Sequence, residues 1–197
     1  MKKIILGVLL LTGAYSMNAQ VDVSLNPISL LFSNINASIE FGVKDDIGVE
    51  FSPSFEFDSY KVDDVKYTNT GLGGRVIGKY YFSPNKGLDK WNIGPYIKYG
   101  YGVGKGTNLS TKETVEVTRN RFAVGFYTGY KWVSRKNVVF ELGFGLGRAF
   151  VNKYESDDQS VDLDDFPILN LDATGKLALG YRFGGVSEGS GRGGKRR

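Results

Sequence analysis

The sequence of 197 residues contains no histidine and no cysteine. Without histidine, the chain lacks the commonest general base and the commonest metal ligand, so catalytic triads and zinc sites built on histidine are excluded. Without cysteine, disulfide bonds, thiolate nucleophiles and a lipid anchor on an N-terminal cysteine are also excluded. The sequence therefore predicts a protein that is not an enzyme, with no catalytic residues and no cofactor.

A basic binding face is also lacking, although the net charge is +4. The positive charge lies at the ends of the chain, with Lys2 and Lys3 at the start and four basic residues within 192–197. The chain between these ends is close to neutral. We therefore expect no nucleic-acid partner.

The two ends of the chain differ from the part between them. Residues 4–11 form an apolar run that follows two lysines and is too short for a membrane helix, which needs about 20 residues. Small and polar residues follow as far as Ala19, so the sequence predicts a signal peptide at 1–19. Residues 184–197 are glycine-rich and basic with little apolar content, and they predict a flexible tail.

Between these ends, eight segments alternate apolar and polar residues, which is the pattern of a strand with two different faces. In the last segment the odd positions from Leu169 to Phe183 are apolar or glycine, whereas Asp172 and Lys176 occupy even positions. The first segment changes phase at Asn26, which suggests a bulge or bend. The predicted strands are 21–32, 35–43, 47–57, 71–82, 91–104, 121–133, 138–150 and 169–183.

Strands of this length span a bilayer when tilted. The sequence therefore predicts an all-β protein in which residues 20–183 form an eight-stranded antiparallel up-and-down transmembrane β-barrel. Short links at 44–46, 83–90 and 134–137 alternate with long polar links, apart from the first link, which is unexpectedly short. The long links are 58–70, 105–118 and 152–167.

Outer-membrane barrels have short periplasmic turns and long external loops, so both termini are expected in the periplasm. Large aromatic residues then fall near the periplasmic ends of the strands, where they predict an aromatic girdle at the membrane interface. The girdle residues are Tyr80, Phe82, Trp91, Trp132, Tyr181 and Phe183.

The polar faces of the strands carry charges of both signs, which the narrow interior of an eight-stranded barrel must pair. Five of these residues fall at about the same height when positions are counted from the periplasmic strand ends. They predict an ion-pair layer that plugs the lumen, with an ion-selective pore or a catalytic carboxylate pair as the alternatives. The layer residues are Glu40, Glu50, Lys79, Lys131 and Glu141.

The last long link is rich in carboxylates, which are the ligands that calcium prefers. The spacing lacks the glycine and the terminal glutamate of a calcium-binding loop, so these residues are weak candidates and no metal site is expected. The candidates are Asp157, Asp158, Asp162, Asp164 and Asp165.

The closing pattern Leu177, Leu179, Tyr181, Phe183 resembles the C-terminal signal of outer-membrane proteins. Segments 26–28, 38–42 and 47–51 resemble small outer-membrane barrels of Bacteroidetes-type bacteria, and the whole pattern is similar to the OmpA-like membrane domain. This resemblance implies a place in the cell outer membrane and contact with its lipid, and it carries no catalytic residues.

Taken together, these patterns predict a non-enzymatic integral outer-membrane barrel with a plugged lumen, acting as a structural or accessory subunit of a larger envelope complex. A ligand-binding or adhesion barrel that acts through its extracellular loops is one alternative, and a small pore is another. A soluble barrel with an apolar pocket would have the opposite facing, with charges outside.

Overall fold

The computed structural model describes residues 20–156, 160–162 and 170–184, where the chain forms nine strands. The predicted signal peptide and all of the predicted tail except Gly184 lie outside these ranges. The strands are β1 Val21–Leu25, β2 Asn34–Lys44, β3 Ile47–Val62, β4 Val65–Tyr81, β5 Lys90–Asn108, β6 Thr114–Val133, β7 Val138–Ser156, β8 Ser160–Asp162 and β9 Leu171–Phe183.

Eight of these strands form a closed antiparallel ring. Consecutive strands from β1 to β7 pair with each other. β7 then pairs with β9, and β9 pairs with β1, which closes the ring. The short strand β8 pairs only with residues 153–155 of β7. The described residues contain no helix long and apolar enough to cross a membrane. The predicted eight-stranded up-and-down barrel is confirmed.

The wall of the barrel is apolar outside and polar inside. On β7, Phe140, Leu142 and Phe144 are 36%, 52% and 52% exposed, whereas Glu141 between them is 1% exposed. This facing is the reverse of that in a soluble barrel with an apolar pocket. An exposed apolar surface of this extent is typical of a wall that lies against lipid or another protein.

Two of the predicted long loops are wrong. β3 and β4 continue through most of 58–70 and meet in a two-residue turn, and 105–118 shrinks to a connection at 109–113. Apolar residues still recur at every second position in parts of these polar stretches, as at Tyr60 and Val62, and Tyr60 stacks on Tyr67 across the hairpin with ring centroids 5.2 Å apart. Cross-strand aromatic pairs of this kind stabilise a ladder. The barrel therefore carries tall hairpins at one end, which we call the hairpin end, and both described termini at the other, the terminal end.

The first predicted strand, 21–32, is also wrong in its second half. β1 ends at Leu25, and a 3-10 helix occupies Pro27–Phe32. Proline has no N–H to donate to a ladder, so the strand cannot continue through Pro27. The first link is therefore 26–33 and not a two-residue turn. Because the links 63–64 and 109–113 are shorter than predicted, the two ends of the barrel differ in how far the hairpins extend and not in the lengths of the links.

Asn26 takes over the hydrogen bonds that β1 gives up. Its side-chain Oδ1 accepts a hydrogen bond from the N–H of Leu177 (3.1 Å), and its Nδ2 donates to the C=O of Gly175 (3.5 Å). The side-chain amide thus replaces one peptide group of the missing strand along the edge of β9. Because Asn26 is buried, water is poorly placed to make these bonds instead.

We expect Asn26→Ala to destabilise the barrel by about 1–3 kcal/mol, because it leaves a backbone donor and a backbone acceptor without partners. Urea unfolding in detergent micelles measures the change. Asn36→Ala is the matched control, since the Asn36 amide makes a single exposed hydrogen bond to the C=O of Pro53. Equal losses in the two variants would contradict the role given to Asn26.

The alternation on β7 changes phase at a bulge. Arg148 is charged, but it lies on the outer face in phase with the residues before it. Ala149 and Val151 pair with successive residues of β6, so the extra residue of the bulge is Phe150. Beyond this bulge Asn152 turns into the lumen, where it is 2% exposed.

The six aromatic residues predicted as a girdle all lie on the outer face at the terminal end, each 45–54% exposed. Tyr80 contacts Phe82, and Tyr181 contacts Phe183, with ring centroids 5.1 Å apart in both pairs. Two further residues extend this band. Tyr130 contacts both tryptophans, Trp91 and Trp132, at 6.3 and 4.5 Å, and Phe140 contacts Trp132 at 5.3 Å.

Candidate functional site

The polar core of the lumen brings together all five residues predicted as an ion-pair layer. Lys79 on β4 places its Nζ 2.9 Å from Glu40, 2.5 Å from Glu50 and 2.7 Å from Glu141. Lys131 on β6 places its Nζ 2.6 Å from Glu40. Each of these side chains is at most 3% exposed.

Three more charged residues join this network. Lys176 on β9 contacts Glu50 and Glu141 at 2.6 and 2.8 Å. Asp22 on β1 accepts hydrogen bonds from Lys131 (2.9 Å) and from the Nε of Arg182 (2.6 Å). Sequence counting places these residues inside the barrel but at other heights. Strands in a barrel are tilted and staggered, so equal counts from the strand ends do not give equal heights.

The network balances its charges, with four carboxylates against four cations. Removing charges from water is costly, and close pairing with further hydrogen bonds is what offsets that cost. We call these eight residues the ion-pair layer. They are Asp22, Glu40, Glu50, Glu141, Lys79, Lys131, Lys176 and Arg182.

Hydroxyl groups bind the carboxylates from the sides. Tyr81 donates to Oε1 of Glu40 (2.6 Å), and Tyr127 donates to Oε1 of Glu141 (3.1 Å). The Tyr127 ring also lies beneath the Lys79 ammonium, 5.3 Å from it, which favours the cation further. The two tyrosines were not identified as site residues from the sequence, although the alternation on β4 and β6 places both on the polar face.

Three carboxylates of the layer are close enough to hold a metal ion, with one oxygen from each of Glu40, Glu50 and Glu141 within 4.8 Å of the others. The Lys79 ammonium contacts all three, so it occupies the place that a cation would take. Of the calcium candidates, Asp157, Asp158, Asp164 and Asp165 lie outside the described residues, and Asp162 is described only as part of β8.

The terminal end of the lumen is covered by the link between β4 and β5, residues 82–89, which the sequence pattern predicts as a simple turn. Leu88 is 1% exposed and reaches the inner wall, where a Cβ at Gly48 would lie 2.8 Å from it. The Leu88 N–H donates to Oε1 of Gln20 (3.0 Å), and Nη2 of Arg182 donates to the Leu88 C=O (2.8 Å). In the sequence, the one sign of this contact is that Leu88 is an apolar residue in a polar link.

The hairpin end of the lumen is open. A cavity of about 430 Å³ lies there, lined in part by Glu56, Arg119, Asn69 and Tyr154. Arg119 and Glu56 form an ion pair of 2.5 Å across this space, and both are partly exposed. The lumen therefore has a buried, charge-balanced layer, a covered terminal end and an accessible hairpin end.

The sequence model of one protein family, described as "Protein of unknown function (DUF3575)", matches residues 4–166. The chain belongs to the DUF3575 family. No curated protein matches its sequence.

The solved structures that resemble this DUF3575 barrel include two outer-membrane proteins. One is Ail, the attachment invasion locus protein of Yersinia pestis, in complex with the heparin analogue sucrose octasulfate; it is 12% identical, with a TM-score of 0.54 over 85% of this chain and 100% of that one. The other is a major outer membrane protein from Thermus thermophilus, 13% identical, with a TM-score of 0.55 over 84% of this chain and 98% of that one. At these identities the likeness shows the fold, which is that of outer-membrane β-barrels.

Proposed function

We propose that this DUF3575 protein is a non-enzymatic integral barrel of the bacterial outer membrane, with a lumen closed by its ion-pair layer. We further propose that it serves as a structural or accessory subunit of a larger envelope complex. The observation that carries the proposal is the facing of the wall, with apolar side chains outside and paired charges inside.

The outer wall supports the membrane location. Exposed Leu, Phe, Ile and Val side chains cover the ring, and aromatic residues form a band at its terminal end. This combination is typical of a barrel surrounded by lipid, with the aromatic band at the interface. Because the tall hairpins extend from the opposite end, as the external parts of outer-membrane barrels do, we place both termini in the periplasm of a Bacteroidetes-type bacterium, with residues 1–19 as the signal peptide.

The two obstructions in the lumen support a closed barrel. The ion-pair layer fills the core with balanced charges, and Leu88 covers the terminal end. Balanced charges favour neither anions nor cations, and a narrow lumen filled with ion pairs leaves no continuous water path. Partner binding would then take place on the outer wall or on the hairpins.

The exposed apolar residues of the 3-10 helix between β1 and β2 support contact with a partner or with lipid on this part of the barrel. Leu31 and Phe32 are 80% and 77% exposed, the highest values among the large apolar residues that the structure describes. Side chains this exposed contribute little to the packing of the barrel, and their apolar character favours contact with a surface outside it.

We expect the mature protein to fractionate with detergent-extracted outer membranes and to migrate faster on gels when it has not been heated. Folded barrels resist unfolding in detergent, so heating changes their compactness and their mobility. Recovery of the protein wholly in the soluble periplasm would refute the membrane location. In planar bilayers, steady and well-resolved conductance would refute the closed lumen and favour the small pore.

A second candidate function is adhesion or ligand binding through the hairpins. Ail, whose fold this chain shares, was solved with a heparin analogue, and the stacked Tyr60 and Tyr67 present aromatic surface on the tall β3–β4 hairpin. A variant with this hairpin shortened discriminates between the candidates, because it would lose ligand binding but keep any partner held by the wall.

A further inference from the structure

The lumen on the hairpin side of the ion-pair layer carries more positive than negative charge. Arg75 on β4 and Lys98 on β5 are direct cross-strand partners on the inner face, and Arg121 on β6 lies diagonally beside Lys98. Like charges directly opposite each other destabilise a sheet. Their proximity is unfavourable unless an anion lies among them.

A single carboxylate, Asp172, faces these cations within the described part of the chain. Its oxygens lie 3.0 Å from Nζ of Lys98 and 3.6 Å from Nη2 of Arg121, and one of them accepts a hydrogen bond from Tyr96 (2.8 Å). The ion-pair layer contributes little further negative charge to this group, because in the described part of the chain its one ion pair with Arg75 joins Nη2 to Oε1 of Glu50 at 4.0 Å. Three cations and one carboxylate leave an excess of two positive charges.

Two of these cations also have donors without an acceptor. Arg75 donates through Nη1 to Thr174 (2.8 Å), and Arg121 donates through Nη2 to the C=O of Leu171 (2.8 Å). The Nε of each arginine is buried, and neither has a hydrogen-bond partner among the residues that the structure describes. Most buried polar groups in proteins are paired, so a pair of such donors at one site requires an explanation.

The cationic site can be reached from the hairpin end. The inward-facing side chains of Lys98 and Arg121 are 37% and 27% exposed. Along β5 the next inward positions beyond Lys98 are glycines, and a Cβ at Gly100 would meet nothing within 4 Å. This open space leads toward the cavity beside Glu56 and Arg119.

We propose that the lumen binds a doubly charged phosphate or sulfate group between Arg75, Lys98 and Arg121, a site that we call the cationic chamber. Guanidinium and ammonium groups are the usual protein donors to phosphate and sulfate oxygens, and their hydrogen bonds to anions are the stronger kind. A dianion matches the excess charge and supplies acceptors for the two Nε donors. The proposal needs only the fold, and it holds whether or not the protein is part of a larger complex.

The test is isothermal calorimetry on the purified barrel in neutral detergent, at low ionic strength and in a buffer free of phosphate. We expect inorganic phosphate and sulfate to bind at one saturable site, and chloride to give no saturable signal. A soluble sugar phosphate is the third ligand: its binding extends the site to phosphate esters, whereas binding of the inorganic anions alone assigns the site to free anions.

Variants locate the binding. We expect Lys98→Gln and Arg121→Gln each to weaken phosphate binding about tenfold or more, through the loss of a charged donor. Lys105→Gln is the matched control on the same strand, because Lys105 forms an exposed ion pair with Glu116 on the outer face. We expect this control variant to bind phosphate with unchanged affinity. Absence of saturable phosphate and sulfate binding, or binding that Lys98→Gln and Arg121→Gln do not weaken, would overturn the proposal.

A third variant separates anion binding from a structural role. Asp172→Asn removes the carboxylate that competes with a bound anion, so we expect phosphate to bind more tightly. Heat-modifiable migration checks that each variant still folds. Phosphate binding that folded Asp172→Asn leaves unchanged would place the bound anion away from these cations, and this result would also overturn the proposal.

Discussion

Replacing Lys79 with methionine is expected to destabilise the barrel by about 3–5 kcal/mol, the cost of breaking a buried ion pair by removing one partner. The Lys79 ammonium lies within 2.9 Å of three glutamates, and it is completely shielded from solvent. Methionine fills a similar volume but leaves the carboxylates with one cation fewer. The change in the free energy of unfolding is measured by urea unfolding in detergent micelles, with the loss of heat-modifiable migration as the readout.

Lys105→Met provides the control for this prediction. Lys105 is paired with Glu116 at 2.7 Å, a contact as short as those of Lys79, but both side chains are about half exposed. An exposed pair contributes about 0–1 kcal/mol. A double variant, Lys79→Met with Glu50→Gln, should regain part of the lost stability because it removes one uncompensated charge. Equal costs for the two lysines would mean that the ion-pair layer is hydrated.

Phe144→Arg is expected to cost about 2–4 kcal/mol when the barrel is unfolded from lipid vesicles, because arginine at the midplane of a bilayer is strongly unfavourable. Phe144 lies on the outer face of β7, six residues from its first residue at the terminal end, and is 52% exposed. Because the side chain lies on the outer face, the substitution reports on the surroundings of the wall.

Phe150→Arg is the matched control, because Phe150 is 58% exposed on the same strand but lies six residues closer to the hairpin end. The cost of a charge falls to about 0–1 kcal/mol near the interface. A large difference between the two variants supports a lipid-facing wall. Similar small costs at both positions would place this wall in water and refute the membrane location.

The ring and its facing could be predicted because they depend on a pattern of period two, which each strand carries by itself. Glu141 turns inward and Leu142 outward whatever the neighbouring strands do, since successive side chains of a strand point to opposite faces. The same rule identified the five charged residues of the predicted layer as lumen residues. Local pattern therefore determines the face of a residue.

Features that depend on more than one strand were not predictable in this way. The height of Lys176 relative to Glu50 depends on the stagger of the ring, so its place in the ion-pair layer was missed. The tall hairpins have a polar composition, which predicts loops, and the cross-strand pairing that keeps them as strands is not visible in either strand alone. The contact of Leu88 with the inner wall depends on a glycine, Gly48, about forty positions away in the sequence, and no local signal connects the two.

The shortness of β1 determines how the ring opens and closes. β1 and β9 meet through five residue pairs, from Val21–Phe183 to Leu25–Leu179, whereas the β5–β6 ladder extends from the terminal end to the tip of its hairpin. Local opening costs least where the fewest backbone hydrogen bonds must break. The β1–β2 ladder has five pairs as well, so β1 is held by the shortest ladders of the ring on both sides. Only the β1–β9 joint must wait for β9 to be synthesised, and motions that part the wall begin beside β1.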